Sequence, residues 1–261
     1  MKKVLTIAGS DSSGGAGIQA DIKTITVHGM FALCAVTALT AQNTTGVFGV
    51  LNADAAFVSA QIDAVFDDIP PDSVKVGMVS TAPIIEAIAE RLIRYRVQKA
   101  VVDPVMVSTS GARLLEESAL VSLQSKLIPA ASLITPNIPE AEILSGMTIA
   151  SRSDMSAAAR KIAAFYKGDI LIKGGHLADD ASDLLYEGKR DEDIWFPGGR
   201  LDSTSTHGTG CTLSSAIACN LAAGMSSREA VAKAKRYITE AIRQAPGFGR
   251  GHGPLNHLVT V

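Results

Sequence analysis

The sequence predicts an α/β fold in which a mostly parallel central sheet carries helices on both faces. Two observations lead there. Short apolar, β-branched runs recur at intervals that leave room for amphipathic helices, and the runs are continuously apolar, as strands covered on both faces require. A third, the length of 261 residues with 47% of them apolar, allows about 70–75% of the unfolded surface to be buried in one unit. Residues 1–261 are therefore expected to form a single domain, with no long linker, low-complexity tract or internal repeat.

Taken in order, residues 4–8, 33–40, 74–78, 100–102, 132–135 and 169–173 read as strands. Between them, residues 83–95 place Ile84, Ile85, Ile88, Leu92 and Ile93 on one helical face, and residues 153–166 repeat the pattern. Residues 183–186 and 193–196 flank a charged turn containing Gly188, which suggests an antiparallel hairpin. Residues 211–223 and 228–244 close the chain as helices before a glycine-rich tail.

Composition excludes several function classes. A net charge of -2 with scattered Lys and Arg makes nucleic acid an unexpected partner. Two lysines precede the first apolar run, but Ser10-Asp11 stops it too early for an export signal, and no segment offers about 18 uninterrupted apolar residues. Neither membrane insertion nor export is expected, and the chain should stay in the cytoplasm. Cys34, Cys211 and Cys219 are odd in number and lack metal-type spacing, which fits a reducing compartment and argues against disulfides and zinc. Cys34 and Cys219 lie in apolar segments and are expected to be buried.

In such a sheet, ligands bind outside the carboxyl ends of the strands, so the residues that follow each strand carry the search for function. Gly9-Ser10-Asp11-Ser12-Ser13-Gly14-Gly15-Ala16-Gly17 follows the first strand and opens a helix. It satisfies a loose dinucleotide pattern, but no acidic residue stands between Asp21 and Asp54 to hold a ribose, and Gln42-Asn43 occupies the end of the second strand. The loop then either brings backbone close to a small ligand or makes a tight structural turn. Asp103, before Pro104, is a strand-ending turn residue or a carboxylate near a metal or phosphate. Asn137 and Glu140 have the spacing of a helix N-cap pair, and the same two groups could order Mg²⁺ and its waters. Lys173 stands where a buried strand emerges, before Gly174-Gly175, and a phosphate partner explains it more economically than a surface lysine. Lys173 and Glu140 are both expected at a solvent-accessible site. The strongest element is Thr206-His207-Gly208-Thr209-Gly210-Cys211, a glycine-rich loop leading into a helix, whose open N–H groups and positive helix end make an anion site. It is not a Walker A loop, and His207 is assigned no chemical role.

Together these segments closely resemble the bacterial hydroxymethylpyrimidine/phosphomethylpyrimidine kinases. The residues concerned are Leu5-Thr6-Ile7-Ala8-Gly9-Ser10-Asp11, Ala41-Gln42-Asn43-Thr44, Val102-Asp103-Pro104-Val105-Met106, Thr135-Pro136-Asn137 with Glu140, Lys173-Gly174-Gly175-His176 and the 207–211 loop, and the similarity covers essentially the whole chain. The resemblance implies a ribokinase-like three-layer fold, a homodimer, ATP and Mg²⁺ as cofactors, and two successive phosphorylations that yield a pyrimidine diphosphate for thiamine synthesis. It implies a pyrimidine site near Gly9, Asp21, Gln42, Met78 and Val105, with Cys211 beside the reacting hydroxyl. It assigns Lys173 and Asn137 to the ATP phosphates, Asp103, Asn137 and Glu140 to the metal, Cys211 and Lys173 to catalysis, and the N–H groups of Gly208, Thr209, Gly210 and Cys211 to the anion hole. Ribokinase relatives usually carry aspartate where this chain has Cys211, whereas cysteine is expected in the pyrimidine kinases and in a related group of pyridoxal kinases. The Gln42-Asn43 pair, which the latter tend to lose, favours a pyrimidine, because an amide that both donates and accepts matches the amino group and ring nitrogen of an aminopyrimidine. A pyridoxal kinase of the same fold and a non-catalytic vitamin-precursor binding protein are the alternatives.

Overall fold

The computed structural model describes residues 1–106, 114–116, 118–175, 181–199, 203 and 205–259. Nine strands form one sheet: β1 (Lys3–Asp11), β2 (Phe31–Asn43), β3 (Gly46–Asn52), β4 (Ser73–Val76), β5 (Ala100–Val102), β6 (Leu133–Ile134), β7 (Asp169–Ile172), β8 (Asp183–Glu187) and β9 (Glu192–Phe196). Their spatial order is β3-β2-β1-β4-β5-β6-β7-β8-β9. The six strands from β2 to β7 in that order are parallel, while β3 at one edge and the β8–β9 hairpin at the other run antiparallel.

Successive strand residues face opposite sides, and each side is apolar, so one sheet seeds two cores. Leu5, Ile7, Val102, Ile134, Ile170 and Ile172 pack under α2 (Ala55–Asp68), α3 (Ala82–Arg94), α5 (Ile138–Ser145) and α6 (Arg152–Ala163). A short helix α4 (Ala119–Ser122), continued by wider and tighter turns through Ala130, joins that layer. Val4, Val101, Leu133 and Leu171 pack under α1 (Gly17–Val27), α7 (Thr209–Ala222) and α8 (Ser227–Arg243) on the other side. The three-layer, ribokinase-like arrangement anticipated from the sequence is the one observed. Among the described residues no helix is long and apolar enough to cross a membrane.

Three elements depart from the sequence reading, the short α4 among them. Strand β3 was not anticipated because Gly46 and Gly49 dilute its β pattern, and its exposed Phe48 and Leu51 give no buried stripe. Helix α2 was also missed, although Asp54 accepts from the N–H groups of Ala56 and Phe57 as an N-cap. One expectation is overturned outright. Cys34 is exposed: it sits on the opposite face of β2 from buried Leu33 and Ala35. Cys219 is fully buried, as expected.

Candidate active site

The parallel strands present their carboxyl ends together, and the residues singled out from the sequence gather there. Asp103 follows β5 and is 3% exposed; its Oδ1 accepts from Thr135 Oγ1 at 2.9 Å and from Lys173 Nζ at 2.8 Å. Burial works against the Lys173 ammonium, but Asp103, with Glu140, outweighs it and holds the lysine pKa above its ordinary value. Its side chain keeps 17% exposure, so the ammonium reaches the surface that a phosphate would approach. Gly210 brings the second glycine loop against this pair: a methyl group there would lie 3.1 Å from Asp103 Oδ2 and 3.5 Å from Lys173 Nζ.

Asn137 and Glu140 form a reciprocal capping box at the start of α5. Asn137 Oδ1 accepts from Glu140 N at 2.9 Å, and Glu140 Oε2 accepts from Asn137 N at 2.8 Å. Glu140 Oε1 faces the Met106 N–H at 3.4 Å. The expectation of a solvent-accessible glutamate fails, since Glu140 is only 5% exposed. Burial pushes its carboxyl up to about 7, against the pull of Lys173.

Helix α7 opens at Gly208, which has φ +82 and offers no capping side chain. Among the described residues the N–H groups of Gly210 and Cys211 have no acceptor. Unpaired N–H groups at the positive end of a helix are donors suited to an anion. Cys211, just inside α7, is half-buried. Desolvation pushes the thiol up to about 11, with Lys75 opposing and Asp21 and Asp103 adding to the rise. The helix N-terminus alone therefore does not make Cys211 a thiolate at neutral pH.

The residues expected around a small heterocycle divide. Gly9 and Met78 meet, with the Met78 sulfur 3.0 Å from where a Gly9 side chain would begin. Val105 follows Asp103 closely, its N–H bonded to the Asp103 carbonyl at 2.8 Å. Gln42, at the end of β2, accepts from Thr40 Oγ1 at 3.0 Å and lies 3.4 Å from His207 Nε2. Asp21 is fully buried, with its oxygens taken by Lys75, Thr6 and Ser215, so it sits behind the site wall rather than on it. His176 lies outside the described residues.

Sequence reasoning missed three participants. Asp11 accepts from the N–H groups of Ser13, Gly15 and Ala16 and from His207 Nε2 at 2.8 Å. A carboxylate at the head of a glycine- and serine-rich turn is the signal that could have found it. His207, bonded to an acceptor-only carboxylate, carries its proton on Nε2 and ties the two glycine loops together. Lys75 is the third, fully buried and paired with Asp21. At the far side, Gly174 N–H donates to Asp183 Oδ1 at 2.8 Å, and Lys235 Nζ bonds Asp183 Oδ2 at 2.6 Å. That chain of contacts links Lys173 to a cavity of ≈ 420 Å³ between the end of β9 and α8.

The chain was compared with known proteins. A family model described as phosphomethylpyrimidine kinase matches residues 11–256. The chain is 53% identical to a thiamine biosynthesis bifunctional protein of Geobacter sulfurreducens, over 98% of this chain but only 52% of that longer protein. It is 45% identical to the hydroxymethylpyrimidine/phosphomethylpyrimidine kinase of Bacillus subtilis, covering 98% of this chain and 94% of the relative. Among solved structures, it is similar to phosphomethylpyrimidine kinase from Clostridium difficile, with a TM-score of 0.83, 47% identity, and coverage of 93% of this chain and 100% of that one. It is also similar to pyridoxal kinase from Staphylococcus aureus in complex with AMP-PCP and pyridoxal, with a TM-score of 0.89, 34% identity, and coverage of 99% and 94%.

Proposed function

The chain belongs to the phosphomethylpyrimidine kinase family, and from that premise we propose that it transfers the terminal phosphoryl group of ATP to 4-amino-5-hydroxymethyl-2-methylpyrimidine and then to the resulting monophosphate, in thiamine biosynthesis. One observation carries this reading: the start of α7, where among the described residues the N–H groups of Gly210 and Cys211 meet no acceptor, brings Gly210 against the Lys173–Asp103 pair at the carboxyl end of the sheet. Phosphoryl transfer is catalysed chiefly by positioning and by charge stabilisation, and these are the groups that supply both. Lys173 and the anion loop hold the transferred group, while Gln42, Gly9, Met78 and Val105 orient the pyrimidine.

Cys211 stands beside the hydroxyl as the proton acceptor. With a pKa near 11 the thiol must first release its own proton to solvent, which positive charge brought close would favour, and the resulting thiolate then takes the hydroxyl proton. The cavity lined by Phe196, Pro197, Ala232, Lys235, Arg236 and Thr239 supports a place for the nucleotide base, since it adjoins Lys173 through Gly174 and Asp183. The hard oxygens of Asp103, Asn137 and Glu140 suit Mg²⁺, which when bound supplies charge neutralisation of the phosphates. Two carboxylates beside one ammonium leave the cluster with room for an added cation. Because the capping box uses the oxygens of Asn137 and Glu140, those two would reach the metal through its waters. A second copy of the chain would cover the exposed Phe48 and Leu51 of β3 and Leu39 of β2, giving a homodimer.

A pyridoxal kinase is the second reading, favoured by the similarity to the Staphylococcus aureus enzyme. ADP release measured with hydroxymethylpyrimidine, its monophosphate, pyridoxine and pyridoxal separates the two. Turnover of both pyrimidines above the pyridines is expected. Exclusive use of pyridoxal would overturn the assignment, and no ADP with any of the four would leave a non-catalytic binding protein.

A further inference from the structure

Lys75 and Asp21 form an ion pair with no exposed surface on either side chain, and none of the steps above uses it. Lys75 Nζ lies 2.9 Å and 2.8 Å from the two Asp21 oxygens. Burying two charges costs so much desolvation that an apolar pair of the same volume is often no worse, so the pair calls for a reason beyond stability. Its surroundings give one. Gly17 and Asp21 stand one turn apart on α1, and Cys211 and Ser215 stand one turn apart on α7. Between the helices, Gly208 at the head of α7 packs against the backbone of Gly15 and Ala16 at the head of α1 and, deeper, Ser215 Oγ donates to Asp21 Oδ1 at 2.8 Å. These are two rungs of one ladder, and Lys75 closes it from the sheet below. Space for the ammonium comes from Gly77, where a side chain would begin 2.5 Å from Lys75 Nζ.

We propose that the buried Asp21–Lys75 pair is a positioning device for Cys211: it locks α1 to α7 so that the sulfur stands at the mouth of the anion loop, and it places a cation beneath that sulfur. Its role deepens the kinase reading given above, through Cys211. The charged groups that face the sulfur are Asp21 on α1, Lys75 on β4, Asp103 after β5 and Lys173 after β7. Lys75 favours the thiolate and Asp21 opposes it.

The test needs no turnover. Iodoacetamide labelling of Cys211 is followed by mass spectrometry in a Cys34→Ser background, with fully buried Cys219 as the internal monitor of folding. Lys75→Met should slow Cys211 labelling on the order of tenfold at pH 8, and Asp21→Asn should speed it by a similar factor, because one pKa unit is a tenfold change in thiolate. The double variant, an uncharged pair of similar volume, should return close to the parent rate. Ser215→Ala, which removes one rung without touching a charge, should lower kcat for phosphorylation while leaving the KM for ATP unchanged. A merely structural pair would make every variant label faster at Cys211 and Cys219 together, and that result, or unchanged rates throughout, overturns the proposal. Opposite shifts in labelling alongside an absence of kinase activity in the parent protein would sink the kinase reading and leave this one standing.

Discussion

Two glycine-rich turns stand at the ligand end of the sheet, one after β1 and one before α7, and similar residues leave them in opposite states. In the first, Asp11 bends back into its own loop. Its Oδ1 accepts from Ser13 N and Oγ, both at 2.8 Å, and its Oδ2 accepts from Gly15 N at 3.1 Å, Ala16 N at 2.8 Å and His207. The loop thus carries its own anion. The second loop has no carboxylate at its head, and Gly208 begins α7 without a side-chain cap. Among the described residues the N–H groups of Gly210 and Cys211 meet no acceptor, and Gly210 lies against Lys173. The two loops differ in the occupancy of their N–H groups, which glycine content alone does not report, and the phosphate role proposed for the second rests on that difference.

The largest effect expected from breaking this contrast is at Lys173, the side-chain cation that stands against Gly210 of the second loop. Lys173→Met should lower kcat by about 10²- to 10³-fold, the usual range for losing one preorganised group at a developing charge. Because it also strips Asp103 of its partner, thermal unfolding should move to lower temperature. Steady-state kinetics and a melting curve check both outcomes, and a variant with lowered Tm but normal kcat per folded molecule removes Lys173 from the chemistry.

Glu140 comes next. Its carboxyl titrates near 4.5 when unfolded and is pushed up to about 7 in the fold. Between those values the folded protein keeps a proton that the unfolded chain releases, so stability falls as pH rises from about 4.5 to about 7. Glu140→Gln abolishes that titration, and its side-chain carbonyl still accepts from Asn137. The variant should therefore be more stable than the parent above pH 7, by up to ~3 kcal/mol, with a flatter profile. Denaturant melts at pH 5 and pH 8 read the difference. Equal slopes would mean that Glu140 is ionised throughout.

Asp11 has the opposite sign. Burial disfavours its charge, but bonds from His207, Ser13 and Ala16 prevail and hold its pKa at about 2. Its contribution, about 2 kcal/mol, is fully present above the unfolded value near 4 and disappears as pH falls toward 2. Asp11→Asn should remove that acid-side loss and lower stability at neutral pH, with turnover per folded molecule reduced far less than in Lys173→Met.

Much of this was legible in the sequence, for identifiable reasons. The strands of the parallel core were readable because burial on both faces makes them apolar without interruption, as in residues 100–102. Lys173 and the 206–211 loop were readable because a cation and an uncapped helix start at strand ends have few bland explanations. Strand β3 and the exposure of Cys34 were not, since both depend on which faces of the sheet are covered. The burial of Glu140 and the Asp21–Lys75 contact depend on which distant side chains meet. Lys75 lies within an apolar strand, 54 residues from its partner, and local pattern carries no trace of that pairing.

The comparison is sharpened most finely by placing the same methyl group in each loop. In the first loop, Gly15→Ala would set its Cβ 2.5 Å from His207 Cδ2 and 3.2 Å from Pro254 Cβ. The histidine must shift, so the cost falls on the fold, at about 1–3 kcal/mol for overpacking. In the second, Gly210→Ala would meet Asp103 Oδ2 at 3.1 Å and Lys173 Nζ at 3.5 Å, and no backbone stands in the way. Gly210 also lies in the first turn of a helix, where alanine is better tolerated than glycine, so stability should hold or rise slightly. The methyl group instead occupies space that an incoming phosphate would share with Lys173. The KM for ATP should rise by about five- to tenfold, a loss of roughly 1–1.4 kcal/mol of binding, while the KM for the pyrimidine changes little. Melting temperatures and KM values for both substrates, measured on the two variants side by side, decide it. If Gly15→Ala raised the ATP KM and Gly210→Ala only lowered Tm, the roles assigned to the two loops would have to be exchanged.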